Sequence, residues 1–296
     1  MSCDPSLAQT HRLRQNPPAM STPADNRRRL SAFWDGSRDY YEQAAASNAE
    51  ASPERRLLLG YLQAGQRVVD LGCGSCENAL WMPAGCRYIG FDVSTAALVM
   101  AGEKGRPGVR VRGDGETLPL AAESVDAVLS TYALEHFHEP GRTLLEAARI
   151  IRPGGLLLLV GSAWDLPYEM PPSLDPRRRL GVTARRLFRQ LLSALDGRHR
   201  FDTVPEPRVL TEGYVPDADA VHVAQSWQMV RFLRAAGLEI VEHRTLPHRP
   251  DPGGLRGALR GLLRKAPLWR HGWGNTLVVA RRGPALRVPE YRLLPL

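Results

Sequence analysis

The residues best equipped for chemistry in this chain recur at the ends of short apolar runs. Val68-Val69 leads into Asp70-Leu71-Gly72-Cys73-Gly74-Ser75. Glycines at alternate positions let the backbone approach a ligand closely, and the start of a following helix offers unpaired amides. Asp92, 22 residues beyond Asp70, closes the next run, Gly90-Phe91-Asp92. A carboxylate there is placed to accept both hydroxyls of a ribose. Arg112-Gly113-Asp114-Gly115-Glu116 brings further carboxylates to the same edge, where one can accept from an exocyclic amine. Acidic groups at successive strand ends would repel a pyrophosphate. They suit a ligand that combines a ribose, an adenine and a cationic centre. Beyond them, Ala133-Leu134-Glu135-His136 carries an imidazole that can take a proton near neutrality, with His138 and His222 as further imidazoles. Cys73 and Cys76 have the spacing of a metal or redox pair, but no second pair accompanies them, so they read as small packing residues of the turn.

These residues need a scaffold that brings strand ends together. Between Gln66 and Ser162 apolar strands alternate with helical stretches. The strands are predicted at Arg67 to Leu71, Tyr88 to Asp92, Val109 to Arg112, Val125 to Ser130 and Leu156 to Gly161. The helices are predicted at Cys76 to Met82, Thr95 to Glu103 and Gly141 to Ile151. Such alternation implies a parallel sheet covered on both faces, with ligands at the carboxyl ends of its strands. Helical patterning over residues 25–64, with Leu30, Phe33, Trp34, Tyr40, Tyr41 and Pro53, predicts two helices packed ahead of this core. The first 24 residues are polar and read as a disordered leader. Residues 163–224 break the pattern with seven prolines and a basic helical run, and read as an insertion that covers a site. Regular α/β character returns over 225–282, with a helix from Gln225 to Ala236 and strands at Leu238 to Glu242 and Thr276 to Ala280. Residues 283–296 read as a tail.

Six motifs in order give the chain a family resemblance. Asp70 to Ser75, Gly90-Phe91-Asp92-Val93-Ser94, Gly113 to Pro119, Ser124-Val125-Asp126-Ala127-Val128, Ala133 to His136 and Arg149 to Gly155 resemble a class I S-adenosyl-L-methionine-dependent methyltransferase of the small-molecule, type 11-like branch. The resemblance covers roughly residues 55 to 162, and Ala235 to Ile240 with Asn275 to Ala280 resemble its closing elements. It implies a Rossmann-like, doubly wound, seven-stranded and mostly parallel sheet with an antiparallel last strand, helices on both faces and an insertion after strand five. It also implies S-adenosyl-L-methionine as cofactor. Gly72, Cys73 and Gly74 would hold its methionine part, Asp70 would face the methionine amino group directly or through water, Asp92 and Val93 would serve the ribose, and Asp114, Gly115 and Glu116 the adenine edge. Tyr132 would line the pocket and Tyr40 or Tyr41 would close over it. His136 stands where a methyl acceptor's proton would be taken up. One departure is Cys76, where the family usually has a third glycine; a side chain there would shift the helix start.

Charge bears on what the chain meets. Of 296 residues, 39 are Lys or Arg and 31 Asp or Glu, for a net charge of +8. Residues 60–160 hold nine basic and eleven acidic residues, whereas 177–200 carry eight arginines against Asp196 alone, and the chain beyond His243 carries eleven basic residues against two acidic ones. The excess therefore lies in two additions flanking a near-neutral core. Leu180, Leu187, Phe188, Leu191, Leu192 and Leu195 interleave with those arginines at helical spacing, which fits a solvated lid helix or contact with a membrane surface or an anionic acceptor. The expected partner is a small-molecule acceptor, with an anionic or lipid-linked one favoured. The alternatives are an RNA or protein methyltransferase docking through the Arg-rich segments, and a non-catalytic protein of the same fold. Nucleic acid is disfavoured, because no Asn-Pro-Pro-Tyr-like sequence follows strand four and no RNA-binding module is recognisable. No apolar stretch approaches the ~20 residues of a membrane span, no signal-peptide core precedes Met20, and a cytoplasmic location is expected.

Overall fold

The computed structural model describes residues 23–47, 52–162, 164–172, 174–204, 207, 215–246, 254–263, 265–266, 269–270 and 274–296. Nearly all of the expected leader lies outside these residues, although helix α1 (Pro23–Gly36) begins inside its last two positions. Helices α2 (Arg38–Ser47) and α3 (Pro53–Leu59) follow, so three helices precede the core where two were expected. Ser52 starts α3 by accepting the Arg55 amide on its side chain, and Pro53, with no amide to lose, occupies the first turn.

The central sheet is built from β1 (Arg67–Leu71), β2 (Arg87–Asp92), β3 (Val109–Arg112), β4 (Val125–Thr131), β5 (Ile151–Ser162), β8 (Leu238–Leu246) and β9 (Asn275–Arg282). Its order is β3-β2-β1-β4-β5-β9-β8. All neighbours are parallel except β9, which runs antiparallel to both β5 and β8. Strand order reverses between β1 and β4, the crevice where doubly wound sheets place ligands.

Successive residues face opposite sides of a strand, and the core divides accordingly. Val69, Leu71 and Val128 pack against α5 (Pro140–Ile150) and α7 (Ser226–Ala235). Val68, Ala127, Leu129, Leu158 and Val279 pack against Leu58 and Leu59 of α3. Helix α4 (Thr95–Glu103) packs with α1 and α2 through Ala97, Met100, Leu30 and Trp34.

The segment after β5 is an independent layer. It contains α6 (Arg179–Asp196), β6 (His199–Thr203) and the short β7 (His222–Val223). The chain end does not hang free as the expected tail. Tyr291–Pro295 forms β10, which pairs in parallel with β6 and completes a second, three-stranded sheet. The connection between β8 and β9 carries one helix, α8 (Gly254–Leu263), that the sequence pattern did not mark.

Candidate functional site

A cavity of about 1070 Å³ opens at the carboxyl ends of β1, β2, β3 and β4. That is at the upper limit of the ~300–1,000 Å³ usual for small-molecule sites, with room for a nucleoside-sized ligand and a second molecule. Its floor is the glycine turn. Gly72 has φ +68°, and a Cβ there would meet the Ala133 Cβ at 2.4 Å, so no other residue fits. Gly74, also left-handed at φ +51°, lies under the Tyr41 ring, whose carbons come within 3.8 Å of a Cβ built on it. Tyr41 of α2 thus roofs the turn.

Cys76 takes the third glycine position and also takes a left-handed conformation (φ 57°, ψ 40°). This corrects the expected helix at Cys76 to Met82: the segment is a short 3-10 turn, Glu77–Trp81. The Cys76 and Cys73 sulfurs lie 3.5 Å apart and fill the space that Gly90 leaves open, where a Cβ would be 2.8 Å from one and 3.0 Å from the other. Burial raises the Cys73 thiol pKa well above its usual value, so this pair is packing rather than reactive thiolate.

Asp92 lines the cavity. Its carboxylate accepts the Gly74 amide at 2.8 Å and the Ser94 amide at 2.9 Å, which ties the end of β2 to the glycine turn. Val93, Asp114, Gly115, Glu116 and Tyr132 line the same cavity. Arg27 of α1 reaches over them, 2.5 Å from Glu116 and 3.3 Å from Asp114. Tyr132 holds a left-handed backbone (φ 53°) and its hydroxyl meets Ser52 and the Asn275 amide.

Asp70 is the exception among the expected cofactor residues. It is fully buried behind the turn and does not reach the cavity. The Tyr88 hydroxyl donates to it at 2.6 Å and the Asn78 amide at 3.0 Å, and burial lifts its pKa to about 6. Its side chain braces Asn78, which does line the cavity, and so supports the turn from behind.

On the opposite wall stand groups from the core and from the inserted layer. His136 lies edge-on to Trp34 with its Nδ1 3.6 Å from Asp219. Burial alone would lower the His136 pKa, but Asp219, Glu135 and Asp217 together outweigh it and raise it. Asp219 accepts from the Trp34 indole at 2.6 Å, and Asp217 accepts from Ser162 Oγ at 2.8 Å. Glu135 is fully buried, and burial with Asp217 nearby lifts its pKa to about 8. His138 also lines the cavity, while His222 is buried in β7 away from it. Trp164 and Tyr168 line the wall, and Trp227 does not. No local pattern marks Asp217 and Asp219, because only the fold of the insertion brings them beside His136.

Among the described residues, three of the four non-glycine residues with positive φ, Cys76, Tyr132 and Asp217, line or adjoin this cavity; the fourth is Glu123. Strained backbone of this kind concentrates at functional sites. The glycine cradle, the Asp92 carboxylate lining the cavity and the acidic edge at Asp114 and Glu116 fit the ribose, adenine and sulfonium of S-adenosyl-L-methionine.

Comparison with known proteins agrees with this geometry. Residues 69–159 match the family model described as "Methyltransferase domain". The chain is 33% identical over 176 residues to an uncharacterized 37.1 kDa protein in transposon TN4556 of Streptomyces fradiae, which covers 52% of this chain and 50% of that one. It is 37% identical over 107 residues to an uncharacterized methyltransferase of Mycobacterium bovis, covering 35% of this chain and 42% of the relative. The chain thus spans about half the length of the curated relatives it matches. Among solved structures, a chain of the Haloferax volcanii complex between the Trm112 methyltransferase activator and a methyltransferase aligns with a TM-score of 0.50 at 21% identity, over 86% of this chain and 97% of that one. A SAM-dependent methyltransferase from Thermotoga maritima aligns with a TM-score of 0.50 at 18% identity, over 84% and 97%. At these identities the two structures show the shared fold.

Proposed function

We propose that this chain, whose residues 69–159 are a class I S-adenosyl-L-methionine-dependent methyltransferase domain, transfers a methyl group by in-line displacement to an O, N or C atom of a small-molecule acceptor held between the glycine turn and the inserted layer. The observation that carries this reading is one cavity with two chemically distinct walls. Asp92, Asp114 and the glycine cradle form one; His136, Asp217 and Asp219 form the other.

When bound, S-adenosyl-L-methionine supplies a methyl group on a sulfonium sulfur. The chain's part is positioning, which in favourable intramolecular reactions is worth ~7–11 kcal/mol. Gly72 and Gly74 set the depth at which a ligand sits, Asp92 fixes its ribose, and Tyr41 with Trp34 closes the roof. His136, with Asp219 on Nδ1, is oriented to accept the acceptor's proton on Nε2. Such a base contributes about 100- to 10,000-fold where the acceptor is a hydroxyl of high pKa.

Helix α6 supports a lipid-linked acceptor. Its inner face buries Val182, Arg186, Gln190 and Ser193, whereas Leu180 (88% exposed), Phe188 (65%), Leu191 and Leu195 (86%) form one stripe facing outward. Arg177, Arg178, Arg179 and Arg185 are exposed at and just before the N-terminal half of α6, without acidic partners among the described residues. An outward apolar stripe with free arginines at one end of the helix matches an anionic bilayer. Two copies of so basic a face would repel each other in a symmetric dimer. Arg179 also lines the cavity, which puts the docking face beside the site mouth.

Calorimetry with S-adenosyl-L-methionine, on the wild type and on Asp92→Ala, tests the first half of the proposal. Binding that the substitution weakens at least tenfold is expected, and no binding to the wild type would overturn it. Incubation with methyl-labelled cofactor and fractionated extract tests the second half. Label in small molecules or lipid supports it, and label confined to RNA or protein refutes it.

A further inference from the structure

Against the cavity wall that His136 and Asp217 line, and just behind it, lies a carboxyl group that the methyl-transfer reading leaves unused, that of Glu135. Glu135, His136 and Asp217 each present one donor atom, and these atoms all lie within 4.8 Å of one another. Glu135 ends β4's extension into a 3-10 turn, Leu134–His136, and its backbone carbonyl is fixed by the Val221 amide at 2.9 Å. Asp217 comes from the inserted layer in a left-handed conformation (φ 61°) and is held by Ser162 Oγ. The cluster therefore joins two separately built parts of the fold.

Glu135 makes the cluster more than a gathering of acids. Its side chain is 0% exposed, and neither carboxylate oxygen has a hydrogen-bond partner among the described residues. The Nδ1 of His136 is likewise without one. Burial holds this group as a neutral acid, and its carboxyl is still left without the hydrogen bonds that a buried polar group needs. Among the described residues no arginine or lysine compensates its charged form, which a bound cation would. Space beside it is kept open by Gly161, where a Cβ would come within 3.3 Å of Glu135 Oε2.

We infer that Glu135, His136 and Asp217 bind a divalent transition-metal ion at the acceptor end of the cavity, with Asp219 orienting His136 from behind. Two carboxylates and one imidazole make an oxygen-rich, borderline donor set that suits Mn²⁺ or Zn²⁺. With bonds of ~2.0–2.3 Å, neighbouring ligand atoms of one ion stand about 3–3.8 Å apart. Donor atoms within 4.8 Å of one another would therefore draw in by up to about 1 Å on binding. Asp219 would stand to His136 as carboxylates stand to metal-bound histidines generally, fixing the tautomer and the ring. If the proposed methyl transfer holds, a metal-bearing His136 would give up its role as proton acceptor on Nε2, and the ion would instead acidify an acceptor hydroxyl directly.

The test uses the full chain, stripped with chelator and titrated with Mn²⁺, free metal being followed by electron paramagnetic resonance and heat by calorimetry. One saturable site per chain is expected, displaced by Zn²⁺ and weakened at least tenfold in Glu135→Gln and in Asp217→Asn. Thermal unfolding and S-adenosyl-L-methionine binding report whether each variant is folded. Should Glu135→Gln not fold, Asp217→Asn, on a surface-accessible loop, decides the matter. Failure of Mn²⁺ to bind at millimolar concentration, or binding that neither substitution weakens, overturns the inference. Mn²⁺ binding without cofactor binding would leave the site standing while the methyl-transfer reading falls.

Discussion

Arg186 is the largest fully buried side chain among the described residues, and its removal tests how the roof of the site is held. Its guanidinium donates to the carbonyl oxygens of Trp164, Pro167 and Glu169, and its Nε lies 3.7 Å from Asp202. Those carbonyls belong to the strap that follows β5 and carries Trp164, Tyr168 and Glu169 into the cavity wall. Charge-assisted hydrogen bonds contribute about 1.5–3 kcal/mol each, so three of them gather ~4.5–9 kcal/mol. Desolvating the guanidinium takes back several kcal/mol. Burial indeed lowers the Arg186 pKa despite Asp202, Glu169 and Asp165 nearby. Breaking a buried pair of this kind by removing one partner costs about 3–5 kcal/mol, and that is the expected cost of Arg186→Met. Arg186→Lys keeps the charge but loses the fork that reaches three acceptors, and should forfeit about half. Hydrogen exchange at the Trp164 amide, bonded to Ala224 O at 2.8 Å, reads this locally. A loss of 3–5 kcal/mol speeds exchange through local opening roughly 100- to 4,000-fold, and urea denaturation reads the global share. Wild-type exchange in Arg186→Met, or Lys and Arg indistinguishable at this position, would refute the pin.

Cys76 offers a second test, through backbone conformation. Cys76→Gly and Cys76→Ala both lose the sulfur, but alanine keeps the left-handed strain of ~1–2 kcal/mol while glycine gives back about 0.4–1 kcal/mol in unfolded-state entropy. The glycine variant should be the more stable by about 1 kcal/mol in urea titrations, and an alanine variant at least as stable would contradict the strain. The α6 stripe predicts sedimentation with phosphatidylglycerol vesicles but not with phosphatidylcholine ones, and its loss in Phe188→Ser combined with Leu195→Ser; binding to both lipids alike, or to neither, sinks the docking face. His222 predicts the acid limb of stability. Burial, with His136 nearby, depresses its pKa to about 3, below an unfolded value of ~6.5. The stability it confers is therefore complete above pH ~6.5 and is lost as pH falls toward 3, by up to ~1.4 kcal/mol per pH unit. Denaturation midpoints measured from pH 7 to 4 should flatten in His222→Gln, and an unchanged slope would show that the histidine charges freely in the fold.

The central sheet was legible because its signal is local. Apolar runs bounded by glycine and acidic residues mark β1 to β5 within a residue or two, apart from the N-terminal extension of β5 through Ile151, which pairs across an irregular register with Val125. Glycine-turn chemistry located the cavity floor in the same way. Asp70 stands behind the cavity floor because a strand residue's facing depends on what packs behind the strand, and Tyr88 and Asn78 claim it from there. The partners of β10 were hidden for a related reason. A five-residue run containing one proline carries little strand signal, and its pairing with β6 spans about ninety residues of chain.

The basic helix shows where pattern reading misleads even when the element is correctly found. Periodicity reveals which residues share a face of α6, but not which face is buried. Leucines ordinarily point inward, yet here the inner face is polar, because the strap after β5 and the chain end present bare carbonyls that only donors can satisfy. Arg186 meets three of them, Arg189 reaches Leu294 and Pro295, and Gln190 takes Asp165. Those arginines are thereby spent on the fold. Of the basic run only Arg179 lines the cavity, whose wall on that side also carries Glu169, Asp217 and Asp219. The remaining unpaired arginines lie beside the exposed leucines, so the net charge of +8 bears on the surface the protein meets, and the acidic wall bears on what enters the cavity. Salt separates the two roles: exposed charge is screened over ~10 Å at 0.1 M, so rising ionic strength should release vesicles while leaving Mn²⁺ at the buried Glu135 largely in place.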